Sequence, residues 1–297
     1  MSTVRTAEIA LGSRANAYVA LTKPDVSFLV LMTTAAGYYM GARGPVNWLH
    51  LVQTVFATML IAAGTAALNH YIERDSDRYM RRTASRPLPS GVLQPNQALV
   101  FGIVLSVAGA LDLYFTAGPL AAGLGIATCL SYLLAYTPLK KRTVWATFVG
   151  AFPGAIPPMI GWVAASGSLD RGAWLLFGIL FFWQFPHFHA IAWMYREDYS
   201  RAGIKMLPVV EPNGESTARQ ILIYSVLLIP ISLLPRWLGM AGGIYMTGAL
   251  AIGLLFLYAG VRVSFDRTRA RARSVLLASV VYLPVLYGLL VLDPVRL

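Results

Sequence analysis

The sequence predicts an all-α integral membrane protein with nine transmembrane helices, and three observations carry that prediction. Of 297 residues, 57% are hydrophobic and 12% charged, where an ordinary soluble domain has about 25% charged residues. Stretches of about 17 or more residues without Lys, Arg, Asp or Glu recur along the whole chain, which is the length a membrane-spanning helix needs. The basic residues between them gather on alternate loops.

Apolar length places the spans at Tyr18–Met40, Leu49–Asn69, Ala98–Phe115, Leu120–Tyr136, Val144–Ala165, Trp174–Met194, Ile221–Leu234, Gly242–Val261 and Val275–Leu292. The fourth and seventh are short. Turn-like segments separate the third span from the fourth (Thr116-Ala117-Gly118-Pro119) and the fifth from the sixth (Ser166-Gly167-Ser168). The connections after the second and sixth spans are long and hold Arg, acid, Gly and Pro at definite places, as ordered loops over a site would. Only Arg43, Arg171, Arg236 and Arg296 fall on one side, and the other 20 of the 24 Lys and Arg fall on the opposite one. The positive-inside rule then puts the N-terminus in the cytoplasm and the C-terminus outside. The domain reading is a cytoplasmic segment over residues 1–17, one transmembrane domain over 18–292 and a short external tail over 293–297.

The net charge of +11 reads as an orientation signal, not as a nucleic-acid interface. A single cysteine, Cys129, excludes a disulfide framework or a cysteine zinc site. The N-terminal segment lacks the basic, apolar, small-residue order of a cleaved signal and is expected to stay on the mature chain.

The second span runs into Asn69-His70-Tyr71-Ile72-Glu73-Arg74-Asp75-Ser76-Asp77. If the helix continues, Asn69, Glu73 and Asp77 stand at i, i+4 and i+8 on one face, with Asp75 turned away. An amide oxygen and two carboxylates in line suit Mg2+, which commonly joins one or two carboxylates to substrate phosphate oxygens. The plain alternative is a solvated helix end whose acids pair with nearby arginines. Two things favour the site: the depth of the cluster at the membrane interface, and Arg82 and Arg86 just beyond it, a pair able to clamp a diphosphate.

The sixth span holds Trp183-Gln184-Phe185-Pro186-His187-Phe188-His189, where Pro186 should kink the helix. Its polar groups are costly in lipid and point to an interior cavity, although satisfied buried histidines would read the same way. His187 and His189 diverge on a helix and cannot share one metal there. Beyond it, Glu197 and Asp198 can hold a second metal with Lys205 on phosphate, or be ordinary surface acids. Lys140, Lys141 and Arg142 serve either as orientation charges or as neutralisers of a leaving diphosphate.

The stretch Asn69-x3-Glu73-x-Asp75-x-Asp77-x2-Met80-x-Arg82-Thr83-x2-Arg86-Pro87-Leu88 resembles the first motif of the UbiA superfamily of intramembrane prenyltransferases, and more narrowly its heme-farnesylating branch. Thr22-Lys23-Pro24, Tyr136 through Thr143, Gly154 through Trp162, and Trp183 through Pro208 agree with that branch, and Thr217-x-Arg219-Gln220-Ile221 does so more weakly. The resemblance covers about Thr22 to Ile221. It implies a nine-helix bundle with a cytosolic cap over a central cavity, in a bacterial-type cell membrane. It also implies transfer of a farnesyl group from farnesyl diphosphate to a vinyl group of heme B with addition of water, Mg2+ as cofactor, and a downstream heme A synthase as partner.

On that reading Asn69, Glu73, Asp77 and Asp198 are catalytic, and Asn69, Glu73, Asp77, Glu197 and Asp198 hold metal. Arg82, Arg86, Lys140, Lys141, Arg142 and Lys205 bind diphosphate, and His187, His189, Trp183 and Gln184 meet the heme. Glu73 stands where many members have Asp, Asp25 where Arg is usual, and Ala146 where Asn is common. The rivals are a related enzyme prenylating an aromatic acid such as 4-hydroxybenzoate, and a transporter, which would place its charges near the midplane.

Overall fold

The computed structural model describes residues 14–295. Most of the expected N-terminal segment, with Arg5, and the last residues, with Arg296, lie outside the described residues. Within the described part every regular element is a helix, apart from an isolated bridge between Ala241 and Pro294.

Chain order gives α1 (Arg14–Leu21), α2 (Pro24–Gly41), α3 (Trp48–Asp77), α4 (Pro95–Ala117), α5 (Pro119–Leu139), α6 (Ala146–Ser166) and α7 (Arg171–Met194). Two short helices, α8 (Arg196–Arg201) and α9 (Leu207–Val210), precede α10 (Glu215–Trp237), α11 (Gly243–Phe265) and α12 (Arg269–Leu292). Eight of these helices are long and apolar enough to cross a membrane, and α1 with α2, bent by 47°, makes a ninth. The protein is a multi-pass integral membrane protein.

Several boundaries differ from the sequence reading. The first span is not one rod: it breaks at Thr22-Lys23, where Pro24 cannot continue α1's hydrogen bonding and Lys23 takes φ 48°, ψ 66°. The fourth and seventh spans are not short, because interfacial polar residues at Glu215–Gln220 and Thr137–Leu139 stay helical. α7 runs as one helix through Pro186. In α6 the turn at Ile156 is tightened before Pro157-Pro158.

Neighbours in sequence are neighbours in space from α2 to α7, then α7 packs on α10, α10 on α11, α11 on α12, and α12 returns to α2 and α7. α2 crosses α6 closely. A Cβ added at Gly37 would collide with the Pro158 carbonyl, and one at Gly161 with the Thr34 carbonyl. Glycine at these two positions lets the backbones touch, as packing in lipid favours. The larger core joins α6, α7, α10, α11 and α12 through Trp162, Ile179, Tyr245, Phe256, Tyr282 and Leu286. Outward faces stay apolar, with Phe115, Leu134, Leu255 and Val281 exposed toward lipid.

A small cluster fixes the cap. Met80, Ile204 and Met206 bury against Ala192 near the end of α7, so both long loops fold back onto the same edge of the bundle.

Candidate active site

α3 begins with Asn47 capping His50 N–H (3.1 Å) and runs unbroken for 30 residues to Asp77. Its length carries the apolar face of the span into the acidic stretch without a break. Asn69, Glu73 and Asp77 thus share one face, as their spacing predicts, while Asp75 is exposed beside Arg74.

Each of the three meets a cation from a different element. Asn69 is fully buried; its Oδ1 accepts from Lys23 Nζ at 2.9 Å and its Nδ2 donates to Thr137 Oγ1 at 3.2 Å. Glu73 pairs with Lys140 at 2.8 Å, both side chains nearly buried. Asp77, with no exposed side chain, pairs through Oδ2 with Arg86 at 2.8 Å. Burial works against the charge on Lys140, but the oxygens of Tyr136, the carboxylate of Glu73 and Tyr132 outweigh it and hold the ammonium well above the ordinary lysine value. The Tyr136 ring lies 4.4 Å from the same ammonium.

Asp77 Oδ1 is buried and has no hydrogen-bond partner. A buried carboxylate oxygen left bare is costly, and a hard cation shared with Asn69 and Glu73 oxygens would satisfy it. The donor set therefore fits Mg2+. Among the described residues no group of three His, Cys, Asp or Glu side chains converges as a metal cage.

Sequence reasoning overlooked Lys23 as a site residue. It is the one non-glycine at positive φ among the described residues, a strained conformation of the kind that clusters at functional sites. Lysine directly before proline at a membrane edge was the available signal. The π-helical turn Ser131–Tyr136 in α5, of a kind often found at functional sites, leads directly into Thr137 and Lys140.

The second loop reaches the same edge. Asp198 is buried and accepts from the Arg201 guanidinium and from Arg82 N–H at 3.4 Å. The Arg82 guanidinium donates to Tyr199 Oη (3.3 Å) and lies over the Tyr195 ring at 4.9 Å. Lys205 is exposed, but its N–H bonds to the Lys140 carbonyl at 2.8 Å, tying this loop to the end of α5. Lys141 lines a cavity of about 130 Å³ with Glu73, Ser76 and Thr137. Arg142 is exposed, and Glu197 is exposed on α8 beside the buried Asp198.

In α7, Gln184 donates from Nε2 to the Ala151 carbonyl of α6 (3.0 Å) and to the Leu180 carbonyl of its own helix (3.2 Å), so it ties α7 to α6. Trp183 Nε1 donates to the Ser279 carbonyl at 2.9 Å, and its ring stacks on His187 at 4.7 Å. Ser279 Oγ lies 2.6 Å from the Leu276 carbonyl and 2.8 Å from His187 Nδ1, so a hydrogen bond joins the His187 ring to α12 through Nδ1. His189 is buried elsewhere on the helix, and the two histidines diverge as the i, i+2 spacing requires.

The chain matches the model of the UbiA prenyltransferase family over residues 30–282. It is 56% identical to the protoheme IX farnesyltransferase of Solibacter usitatus over 285 residues, covering 93% of this chain and 98% of that one. It is 46% identical to the enzyme of the same name from Koribacter versatilis over 93% of this chain and 92% of that one. Among solved structures, one of digeranylgeranylglyceryl phosphate synthase superposes with a TM-score of 0.79 at 19% identity, over 96% of this chain and 100% of that one. A UbiA homolog from Archaeoglobus fulgidus bound to GPP and Mg2+ superposes at 0.63 and 14% identity, over 92% and 99%. At such identities these structures speak for the fold. With family and relatives agreeing along nearly its whole length, the chain belongs to the UbiA prenyltransferase family and is a prenyltransferase.

Proposed function

We propose that the protein transfers the farnesyl group of farnesyl diphosphate to a vinyl group of heme B, with addition of water, giving heme O and diphosphate. The single observation that carries the chemistry is the Asn69–Glu73–Asp77 face, with its bare Asp77 oxygen, surrounded by Lys23, Lys140 and Arg86. The choice of acceptor rests on relatives named protoheme IX farnesyltransferase at up to 56% identity.

In this reading Asn69, Glu73 and Asp77 would hold Mg2+, which would supply positive charge toward the departing diphosphate. Lys23, Lys140 and Arg86 add fixed positive charge at the same place, where low dielectric makes it effective. Arg82 positions the diphosphate from the first loop, and Asp198 of the second loop holds Arg82 through its main chain. The C–O bond breaks with its electron pair going to diphosphate. The vinyl π electrons form the new C–C bond to the farnesyl carbon, the remaining cation takes water, and one proton is lost. The apolar bundle shields the allylic cation from water until the acceptor is in place, and His187 Nε2 faces the acceptor. The basic loops face the cytoplasm of a bacterial-type membrane, and heme O passes to an enzyme such as heme A synthase.

Purified protein with heme B, farnesyl diphosphate and Mg2+ is expected to yield a product of heme O mass and free diphosphate, with both lost on chelation of the metal. Prenylation of 4-hydroxybenzoate with heme B left unchanged would overturn the acceptor.

A further inference from the structure

At the basic edge, Arg81, Arg82, Arg196, Arg201, Arg267 and Arg269 wall a cavity of about 620 Å³ together with Glu197 and Asp198. That arginine cavity belongs to the substrate site already described. The corner between α11 and α12 carries more positive charge than the cavity uses, because it holds Arg262, Arg267, Arg269, Arg271 and Arg273. Arg267 lies 3.7 Å from Glu215, and Arg271 lies 3.3 Å from Asp266. Arg262 and Arg273 are different. Both are exposed and neither lines the cavity. Among the described residues neither has an acidic partner within ion-pair distance.

Their place on the helices says what they face. In α11, Leu255, Tyr258, Arg262 and Phe265 follow at i, i+3, i+7 and i+10, one helical face, and all four are exposed. In α12, Arg273, Leu277 and Val280 follow at i, i+4 and i+7, and they are exposed as well. These apolar faces can only meet lipid in a bundle that crosses a membrane. Each arginine therefore stands on a lipid-facing surface, directly above its apolar residues. Arg262 is three residues from the end of α11 and Arg273 four from the start of α12, about 5 and 6 Å into the helices. The two helices pack on each other and are joined by three residues, so both guanidiniums lie at one depth, that of the headgroups. Tyr258 sits under Arg262, with the guanidinium 5.6 Å from its ring, and Phe265 at the corner is 89% exposed. The positive-inside rule accounts for cations in the loops. It does not account for two unpaired arginines placed one turn inside adjacent helices on their lipid faces.

We propose that the lipid-facing corner of α11 and α12 binds the headgroup of an anionic phospholipid through Arg262 and Arg273. The guanidinium fork matches phosphate oxygens in two hydrogen bonds. The long arginine stems lie along apolar surface while their charge reaches the headgroups. Tyr258 and Phe265 supply the apolar contact at the same level, and Leu255, Leu277 and Val280 continue it along the acyl chains. With no carboxylate beside either guanidinium, a headgroup of net negative charge is favoured over a zwitterionic one.

The test is thermal denaturation of the full-length protein in detergent, titrated with phosphatidylglycerol, with phosphatidylcholine and with inorganic phosphate. The wild-type melting temperature is expected to rise with phosphatidylglycerol and with neither of the others. Arg262→Gln with Arg273→Gln is expected to raise the half-saturating phosphatidylglycerol concentration about 10- to 30-fold. Arg78→Gln with Arg142→Gln removes the same charge from exposed residues elsewhere on the basic edge and is expected to leave that concentration unchanged. An unaltered melting temperature without lipid reports that a variant is folded. If the corner pair fails that control, the single changes are each expected to shift half-saturation about 3- to 5-fold. An equal shift in the two pairs overturns the proposal and leaves only diffuse attraction to the basic edge. No response of the wild type to phosphatidylglycerol overturns it too, as does equal protection by inorganic phosphate, which would make this a site for free anions.

Discussion

Glu73 and Asp77 lie one helical turn apart and carry the same charge, yet their surroundings separate what each substitution does. Glu73 is answered by Lys140, whose ammonium keeps three donors and a tyrosine face. Glu73→Gln is expected to lower turnover about 100- to 1000-fold at a smaller cost in stability, because Lys140 can shed its proton once its carboxylate is gone, whereas an arginine cannot. Asp77 has no exposed side chain and answers Arg86, itself largely covered. Asp77→Asn is expected to lose turnover as well, and also to lose about 1–3 kcal/mol of stability because a buried charge is left without its partner. Kinetics and thermal denaturation on the two purified variants separate these outcomes. Equal loss of stability would mean that the carboxylates are not differently held. The residue types and their spacing were legible in the sequence. The partners were not: Lys23 is 46 positions away from Asn69 and Lys140 is 67 away from Glu73, and spacing along one helix says nothing about which other element arrives opposite it.

Elements decide how closely the bundle packs. Where α2 crosses α6, the missing Cβ atoms of Gly37 and Gly161 are filled by backbone carbonyls that cannot rotate away. Gly161→Ala is expected to destabilise the protein by about 1–3 kcal/mol through overpacking. Gly288→Ala in α12, where nothing lies within 4 Å, is expected to be neutral or slightly stabilising. Comparison of their melting temperatures in detergent checks both. Equal melting temperatures would mean that α2 and α6 can separate freely. Spans were legible as apolar runs, because lipid forces continuous hydrogen bonding on any segment that crosses it. Their ends were less so. Helices α5 and α10 extend past the apolar run, since polar residues at an interface keep a helix that is already started, and α1 and α2 part at Lys23 because of proline geometry.

For the whole molecule, the distribution of Lys and Arg makes the orientation testable. A cytoplasmic-only reporter fused at the N-terminus and an export-only reporter fused at the C-terminus are both expected to be active. Activity of the opposite pair would reverse the topology and place the arginine cavity on the outer side. That cavity draws on the connection after α3, the end of α7 and the start of α12, so it exists only when distant parts of the chain share one edge of the bundle.

By itself the sequence determined the class of the protein, the number of crossings, the acidic face of α3 and the presence of two ordered loops. Each of these follows from local rules: apolar length, helical period, and charge at the membrane edge. Tertiary structure alone decided that Lys23, Lys140 and Arg86 meet the three polar groups of α3, and that Gln184 fastens α6 to α7. It also decided that Ser279 hydrogen-bonds His187 and that six arginines close around one hollow. These are contacts between elements far apart in the chain, set by how the helices pack around the ring, and a pattern read along one helix does not contain that packing.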